Sequence, residues 1–410
     1  MSNPDINSNY SHSIDRFIIP GISIVLGIMI CLRYAVYITI PLPVITALSL
    51  VIILLARIYR NTKYCIPLLI FLLYYGATLF IHPHSEPLLR FSRYVAFAIG
   101  ILLFSPLLMS KQLTLARKYI FVTIFRTLLL MVLISFFIWI YCTIMGYEIS
   151  DSHFYYYGFK GIFDSGMVLS PAAGVVAIIS LHKSLTTTSS PRILWLTTTL
   201  ISATTCVAAG SRIAVLGMIT AFIVEFVLMR NEIKDIFSDF KYKIASIIVL
   251  LGLVAISPAA FKVINHKISI GQAHNSIIYS RQKLWTTRID EIRTSPLIGI
   301  GYANESTALS SENATHKPTN IEPGSSWLSL VSYGGIIGLG IFGWFSYKMF
   351  SKISANRHKK YVIPTIALLT FFFVDGIAEG WLMFSGALLF PIFWQTCSAA
   401  FMAQSYQQYD

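Results

Sequence analysis

The chain has 410 residues, of which 55% are hydrophobic and only 12% are charged, and its mean hydropathy is +0.68. Soluble domains carry about a quarter of charged residues, so this composition excludes a soluble fold and indicates an integral membrane protein. The formal net charge of +13 does not indicate a nucleic-acid partner. The basic residues cluster in short loops between apolar runs, where they set membrane topology instead.

The apolar runs have the length of roughly 17 to 24 residues that a helix needs to cross a bilayer. We therefore predict an all-α integral membrane protein with about twelve transmembrane helices. The predicted spans are 17–35, 42–57, 64–81, 89–109, 120–143, 165–182, 192–209, 211–229, 244–261, 326–348, 361–380 and 383–403. Residues 1–261 then contain spans one to nine, 262–325 form a large external loop, and 326–410 contain the last three spans and a cytoplasmic tail.

The orientation follows from the Lys and Arg residues of the short loops, which are more numerous on the side of the N-terminus. The positive-inside rule then predicts that both termini are cytoplasmic and that the long loop 262–325 is external. Within that loop Leu284, Ile289 and Ile292 recur at helical spacing, and Pro296 ends the pattern. We predict an amphipathic helix here, lying on the outer leaflet.

Two arginines at the external side are candidates for binding an anion. Arg212 lies in AAGSRIAVLG, where the seventh span turns into the eighth, and Arg281 lies in the predicted loop helix. A guanidinium group binds phosphate oxygens with two parallel hydrogen bonds and keeps its charge when partly buried. The alternatives are a snorkelling interfacial arginine for Arg212 and a solvated loop charge for Arg281.

Carboxylates and a histidine complete the candidate site. Glu322, in IEPGSSW before the tenth span, is a candidate general base, because the low-dielectric edge of a bundle raises a carboxyl pKa. It is alternatively an acid that complements the dipole of the tenth helix. Asp375 and Glu379 share one face of the eleventh span, where ionisable groups are costly and indicate function; Asp375 is alternatively a structural partner of an arginine. His316 is a solvated loop histidine or, being close to Glu322, a second base.

The motifs that are missing narrow the chemistry further. The five cysteines are scattered without a CxxC spacing, so we expect neither a disulfide framework nor a metal site. The sequence lacks a DxD triad, a Walker A motif and a G-x-S-x-G elbow, and we expect no metal and no cofactor. An external membrane site has no nucleotide sugar at hand, so an activated sugar would arrive on a lipid diphosphate, a leaving group that two arginines can stabilise.

Several motifs together resemble the O-antigen ligase and O-antigen polymerase superfamily. They are Ser211-Arg212, the R-x-x-x-W of Arg281 and Trp285, the SPLIGIGYAN that follows, the turn into WLSLVSYGGIIGL, and GFKGIFDSGMVLS at 158–170. Twelve spans with a large outer loop between the ninth and tenth also match this family. The resemblance is concentrated in residues 160–340 and Asp375.

The resemblance implies a metal-independent, inverting membrane glycosyltransferase that moves a glycan from undecaprenyl diphosphate to a sugar hydroxyl. The expected location is the bacterial inner membrane, with the active site facing the periplasm. Arg212 and Arg281 match the arginines that grip the diphosphate, and Glu322 would be the base. Substrate-binding candidates are Trp285, Arg288, His316, Asp375 and Glu379. The expected partners are the lipid-linked glycan, membrane lipid and a chain-length regulator.

One departure from the family pattern separates its two reactions. Ligases usually carry a histidine about eleven residues before the G-[IL]-[IL]-G of the tenth span, where this chain has Gly324. This favours a polymerase of O-antigen or other surface polysaccharide repeat units over a ligase that joins the glycan to lipid A core. A flippase for lipid-linked sugar is the alternative of another class, although transporters usually show paired halves. An inert scaffold is a third alternative, which the buried acids disfavour.

Overall fold

The structure is a computed structural model that describes residues 17–56, 63–81, 87–147, 158–187, 190–230, 265, 268–269, 279–304, 324–356 and 362–402. The described part is almost entirely helical. In chain order the helices are α1 (Ile19–Leu32), α2 (Leu42–Leu55), α3 (Ile66–Ile81), α4 (Pro87–Phe104), α5 (Lys111–Met145), α6 (Gly166–Thr186), α7 (Ser190–Ala209), α8 (Arg212–Leu228), α9 (Tyr279–Thr294), α10 (Ser326–Ala355), α11 (Ile363–Asp375) and α12 (Leu389–Met402). Two short strands, β1 (Lys63–Tyr64) and β2 (Leu108–Met109), pair antiparallel with Lys63 opposite Met109.

The predicted multi-span helical membrane protein is confirmed at this level. In the described residues, α4, α5, α6, α10 and the part of α7 from Pro191 to Ala209 are long and apolar enough to cross a membrane, and α1, α2, α3 and α11 are shorter apolar helices. Large apolar side chains such as Leu73, Leu130 and Val227 remain exposed, as expected for helices that face lipid. The number of twelve spans stays a prediction, and the ninth predicted span, 244–261, lies outside the described residues.

Aromatic side chains fill the centre of the bundle. The ring of Phe71 on α3 lies 6.4 Å from the rings of both Phe97 on α4 and Trp394 on α12. Phe390 packs 5.9 Å from Phe97. All four side chains are fully buried, so α3, α4 and α12 share one core. Aromatic pairs at these separations add to the stabilisation that burial itself provides.

Helix α10 is broken in its middle. Gly335 has φ 60° and ψ −163°, a conformation outside the helical region. The segment that follows α9, residues 295–304, packs against the helix at this break. The backbone N–H groups of Ile300 and Gly301 donate to the carbonyls of Ser332 and Tyr333 at 2.8 and 3.2 Å. Since a buried backbone group must be hydrogen-bonded inside a bilayer, the inserted segment satisfies the carbonyls that the break would otherwise orphan.

The same insertion explains Gly299 of the motif SPLIGIG and Gly335 of α10. A Cβ atom on Gly335 would lie 2.2 Å from the Leu297 carbonyl oxygen, and one on Gly299 would lie 2.4 Å from the Tyr333 carbonyl carbon. Both glycines have positive φ, which side chains disfavour. Tyr74 on α3 clamps the junction, because its hydroxyl donates to the Gly334 carbonyl at 2.7 Å. The motif is therefore a packing device that fixes α9 against α10.

Candidate active site

A cavity of about 690 Å³ lies at one end of the helical bundle. Its lining comes from helix ends and from the connections between them: the loop that joins α1 to α2, the start of α6, the start of α9, Gly324 before α10, and the segment between α11 and α12. Volumes of about 300–1,000 Å³ are typical of small-molecule sites. The connections that form it are ones that the charge distribution predicts to be external.

One wall of the cavity carries an ion pair between Arg281 and Glu379. The Nη2 atom of Arg281 lies 2.8 Å from Oε1 of Glu379, and less than a fifth of either side chain is exposed. Both residues line the cavity. From the sequence, Arg281 was predicted to bind the diphosphate and Glu379 to bind substrate, without a link between them. The fold brings the two side chains into direct contact although they are 98 positions apart in the chain.

The N-terminal end of α9 positions Arg281. One turn further along, Trp285 donates from its indole Nε1 to the Gly324 carbonyl at 3.0 Å. Gly324 has φ 72°, and a Cβ atom there would lie 2.8 Å from Cβ of Leu284, so only glycine permits this approach. Trp285 thus ties α9 to the start of α10, and its indole N–H is used within the protein.

Two serines at the start of α10 hold the segment that carries Glu379. Ser325 caps the helix, accepting at Oγ from the backbone N–H of Leu328. The Oγ of Ser326 donates to the Glu379 carbonyl at 2.7 Å and accepts from the N–H groups of Trp381 and Leu382. The buried hydroxyl of Ser326 therefore fixes the path of residues 379–382 along the cavity.

Asp375 reaches the cavity through a tryptophan. Its Oδ2 accepts from the indole Nε1 of Trp381 at 3.0 Å, and Trp381 lines the cavity whereas Asp375, which is fully buried, does not. From the sequence, Asp375 was expected to bind substrate or to be a structural partner of an arginine. In the structure its bonded partner is Trp381, a residue that sequence reasoning missed.

A further part of the lining combines Arg33, Tyr34 and Asp164. The loop after α1 and the segment before α6 are joined by backbone hydrogen bonds, from Val36 N to Ile162 O at 2.8 Å and from Asp164 N to Tyr34 O at 3.0 Å. Removal of water raises the pKa of Asp164 above its ordinary value, although its own and the Ser165 N–H groups, Arg33 and Lys160 act in the opposite direction. Asp164 belongs to the quoted GFKGIFDSG motif, but sequence reasoning gave it no role.

Arg212 opens α8 and is not among the residues that line the cavity. Ser211 caps this helix, accepting from Ala214 N–H at 3.4 Å. Gly217 of α8 packs against Phe371 of α11. The N-terminal end of α8, which carries Arg212, therefore lies near the C-terminal end of α11, which is Asp375. Among the described residues, the buried Nη1 of Arg212 and Oδ1 of Asp375 lack a hydrogen-bond partner.

The structure gives Arg288 a packing contact. Its guanidinium is buried, bonds Oε2 of Glu291 at 2.8 Å and lies 5.1 Å from the centre of the Tyr333 ring. Ser332 donates to the same carboxylate oxygen at 2.6 Å. Arg288 therefore joins α9 to the broken turn of α10 and is not on the cavity lining, where a substrate-binding residue was expected. The reason is that α9 buries the side chains of Arg288 and Glu291, whereas Ile289 of the predicted apolar face remains 40% exposed.

The predicted base Glu322 and the nearby His316 lie outside the described residues. Gly324, two positions after Glu322, lines the cavity.

A family model described as O-antigen ligase matches residues 197–343 of the chain. The matched segment contains most of α7, all of α8 and α9, and the first part of α10, up to residue 343, including the break at Gly335. No curated protein matches the chain.

The apolar helices and this match point to a multi-pass membrane protein, and the matched family implies an enzyme of the glycosyltransferase type. Within that class, the predicted resemblance to the O-antigen ligase and O-antigen polymerase superfamily is confirmed.

Proposed function

We propose that this protein transfers a glycan from undecaprenyl diphosphate to a sugar hydroxyl, and that it polymerises repeat units of O-antigen or another surface polysaccharide. The observation that carries the proposal is the position of Arg281, which lies in the family-matched segment and also on the cavity lining. A fixed and largely buried guanidinium is suited to a diphosphate leaving group. The site would face the periplasm of a bacterial inner membrane.

The proposed reaction is a single displacement. The acceptor hydroxyl attacks the anomeric carbon, its proton passes to Glu322, and the bond from that carbon to the diphosphate oxygen breaks. The electron pair leaves with the diphosphate, so that undecaprenyl diphosphate is released and the anomeric configuration inverts. Arg281, which lines the cavity, would stabilise the charge that develops on the diphosphate, without a metal ion. Activity that persists in EDTA and an inverted linkage in the product would support this mechanism.

The fold suggests how Arg281 would exchange partners. Glu379 holds the guanidinium at 2.8 Å, and an incoming diphosphate carries more negative charge than one carboxylate. The diphosphate would therefore compete with Glu379 for the same N–H groups. Until the diphosphate binds, Glu379 would keep Arg281 oriented.

The experiment that tests the function is deletion of the gene followed by electrophoresis of the surface glycan. A polymerase predicts glycan with a single repeat unit. Bare lipid A core with accumulating lipid-linked polymer would instead indicate a ligase. An unchanged ladder would contradict both enzymatic assignments.

A reconstitution experiment separates the enzyme from a flippase. Purified protein in detergent should extend a lipid-linked glycan without any gradient, and Arg281→Ala should lower kcat/KM about 30-fold or more, because charge-assisted contacts to phosphate are worth about 2 kcal/mol or more. Arg293→Ala is the matched control on the same helix, since that side chain is 76% exposed and, in the described part of the chain, pairs with Asp290 one turn away. Equal losses in both variants would argue against a specific role for Arg281.

Glu322→Gln tests the proposed base. It should lower kcat strongly while KM for the donor changes little, because a base acts on the acceptor hydroxyl and does not hold the diphosphate. His316→Gln in parallel tests the second candidate. Full activity in Glu322→Gln would remove Glu322 from the mechanism.

A further inference from the structure

Arg33 is a second guanidinium on the cavity that contains Arg281. Among the described residues, these two arginines line the cavity, while Arg212 does not. Arg33 follows α1 directly and lies far outside the family-matched segment 197–343. The cavity therefore presents guanidinium groups from two remote parts of the chain, one of which no motif indicates.

The backbone around Arg33 is fixed. Its Nη1 donates to the carbonyl of Ile40 at the far end of the same loop. Ala35 forms an isolated β-bridge with Phe163, and Val36 donates to Ile162 at 2.8 Å. A guanidinium carries five N–H donors, so the contact to Ile40 uses only part of its capacity. Arg33 is thus positioned before a ligand arrives, which lowers the entropy cost of binding.

The surroundings of Arg33 favour a lipid-borne anion. Helix α1 exposes Ile24, Val25 and Ile28 before Arg33, and the loop exposes Ile38 after it. Apolar side chains including Ile40, Val168 and Leu389 also line the cavity. Exposed apolar helix surface is suited to an isoprenoid chain, and an arginine at the end of such a helix lies at the depth of a lipid phosphate.

We propose that Arg33 binds the diphosphate of the polyprenyl carrier, on the side where the lipid chain meets the cavity, while Arg281 binds the same diphosphate from α9. The assignment rests on the proposed function and adds to it a binding residue and a direction of approach for the lipid. When the bond between the anomeric carbon and the diphosphate oxygen breaks, negative charge grows on the diphosphate, and both guanidinium groups stabilise it.

The test is a binding measurement on purified full-length protein with undecaprenyl diphosphate and undecaprenyl monophosphate. Arg33→Ala should weaken the affinity for the diphosphate about 10-fold or more and that for the monophosphate clearly less, because two guanidinium groups can share a diphosphate. Arg33→Lys should recover part of the loss, since it restores the charge but not the forked donor geometry. Arg293→Ala serves as the exposed control and should bind both lipids as the wild type does.

The outcomes separate this assignment from the proposed function. Wild-type protein that transfers glycan, with Arg33→Ala binding the diphosphate normally, would overturn the role of Arg33 alone. Arg33-dependent binding of the diphosphate without any glycan transfer by the wild type would overturn the glycosyltransferase function and leave the binding site standing. A lower unfolding temperature of Arg33→Ala with equal losses for both lipids would assign Arg33 to loop packing and overturn the inference.

Discussion

At the scale of single residues, charged and aromatic side chains on the cavity are held in place by an ion pair or by hydrogen bonds. Glu379 holds Arg281, Asp375 holds Trp381, and Ile40 holds Arg33. Glu379 and Ile40 line the cavity themselves, whereas Asp375 lies behind Trp381. Orientation by such partners is what keeps a polar site preorganised.

The Asp375–Trp381 pair gives a stability prediction. Asp375→Ala removes the acceptor of a buried indole N–H, so we expect the free energy of unfolding to fall by about 1–3 kcal/mol. Trp381→Phe removes the donor and should also destabilise the protein. Thermal unfolding in detergent measures both, and the double variant should lose less than the sum of the two. Additive losses would show that the hydrogen bond contributes nothing.

At the scale of elements, α10 organises the site. Its N-terminal serines hold the segment 376–382, Gly324 before it receives Trp285, and its break at Gly335 receives the segment that follows α9. Each contact joins α10 to a separate stretch of the chain. Changes at α10 are therefore expected to affect the site even where they touch no lining residue.

Ser326→Ala tests this at the start of α10. The change leaves the backbone N–H groups of Trp381 and Leu382 without their shared acceptor, and we expect a loss of about 1–3 kcal/mol in stability together with reduced glycan transfer. Ser351→Ala is the control on the same helix, because that exposed hydroxyl donates to the Tyr347 carbonyl one turn earlier. Wild-type activity in Ser326→Ala would contradict the positioning role.

Gly335→Ala tests the break in α10. A methyl group would meet the Leu297 carbonyl oxygen at 2.2 Å and the residue would keep a positive φ, so we expect a loss of more than about 1 kcal/mol. Gly340→Ala is the control, since no atom lies within 4 Å of its added Cβ. The fraction of folded protein after mild heating in detergent measures the difference. Equal stability of the two variants would show that the break is not required.

At the scale of the whole molecule, the cavity collects helix ends that the positive-inside rule assigns to the external side, while β1 and β2 join connections that it assigns to the cytoplasm. The five cysteines are all buried, so an introduced cysteine reports on its own location. Tyr37 in the loop after α1 is 95% exposed, and Tyr64 in β1 is 57% exposed.

We therefore predict that a membrane-impermeant maleimide labels Tyr37→Cys in intact spheroplasts and leaves Tyr64→Cys unlabelled until the membrane is opened. The labelling pattern is read by a mass shift on a gel. The reverse pattern would place the cavity on the cytoplasmic side and contradict the proposed use of a periplasmic lipid-linked donor.

The amino-acid sequence by itself determined the membrane class, the positions of most helices and the family resemblance, and it singled out Arg281 and Glu379 as candidates. Apolar runs of membrane-spanning length and short motifs such as SPLIGIG are local properties, and local properties can be read along a chain. The helix over Tyr279–Thr294 was predictable for the same reason.

Only the tertiary structure decided which side chains meet. Helix α9 packs inward with the face that carries Trp285 and Arg288, because these side chains contact Gly324 and Tyr333. The apolar periodicity of the sequence does not indicate that this face is the buried one. Arg33 and Asp164 join the cavity because the loop after α1 pairs with a segment more than 120 positions away. Contacts between remote segments depend on how the helices pack against one another, and this packing is a property of the folded chain as a whole.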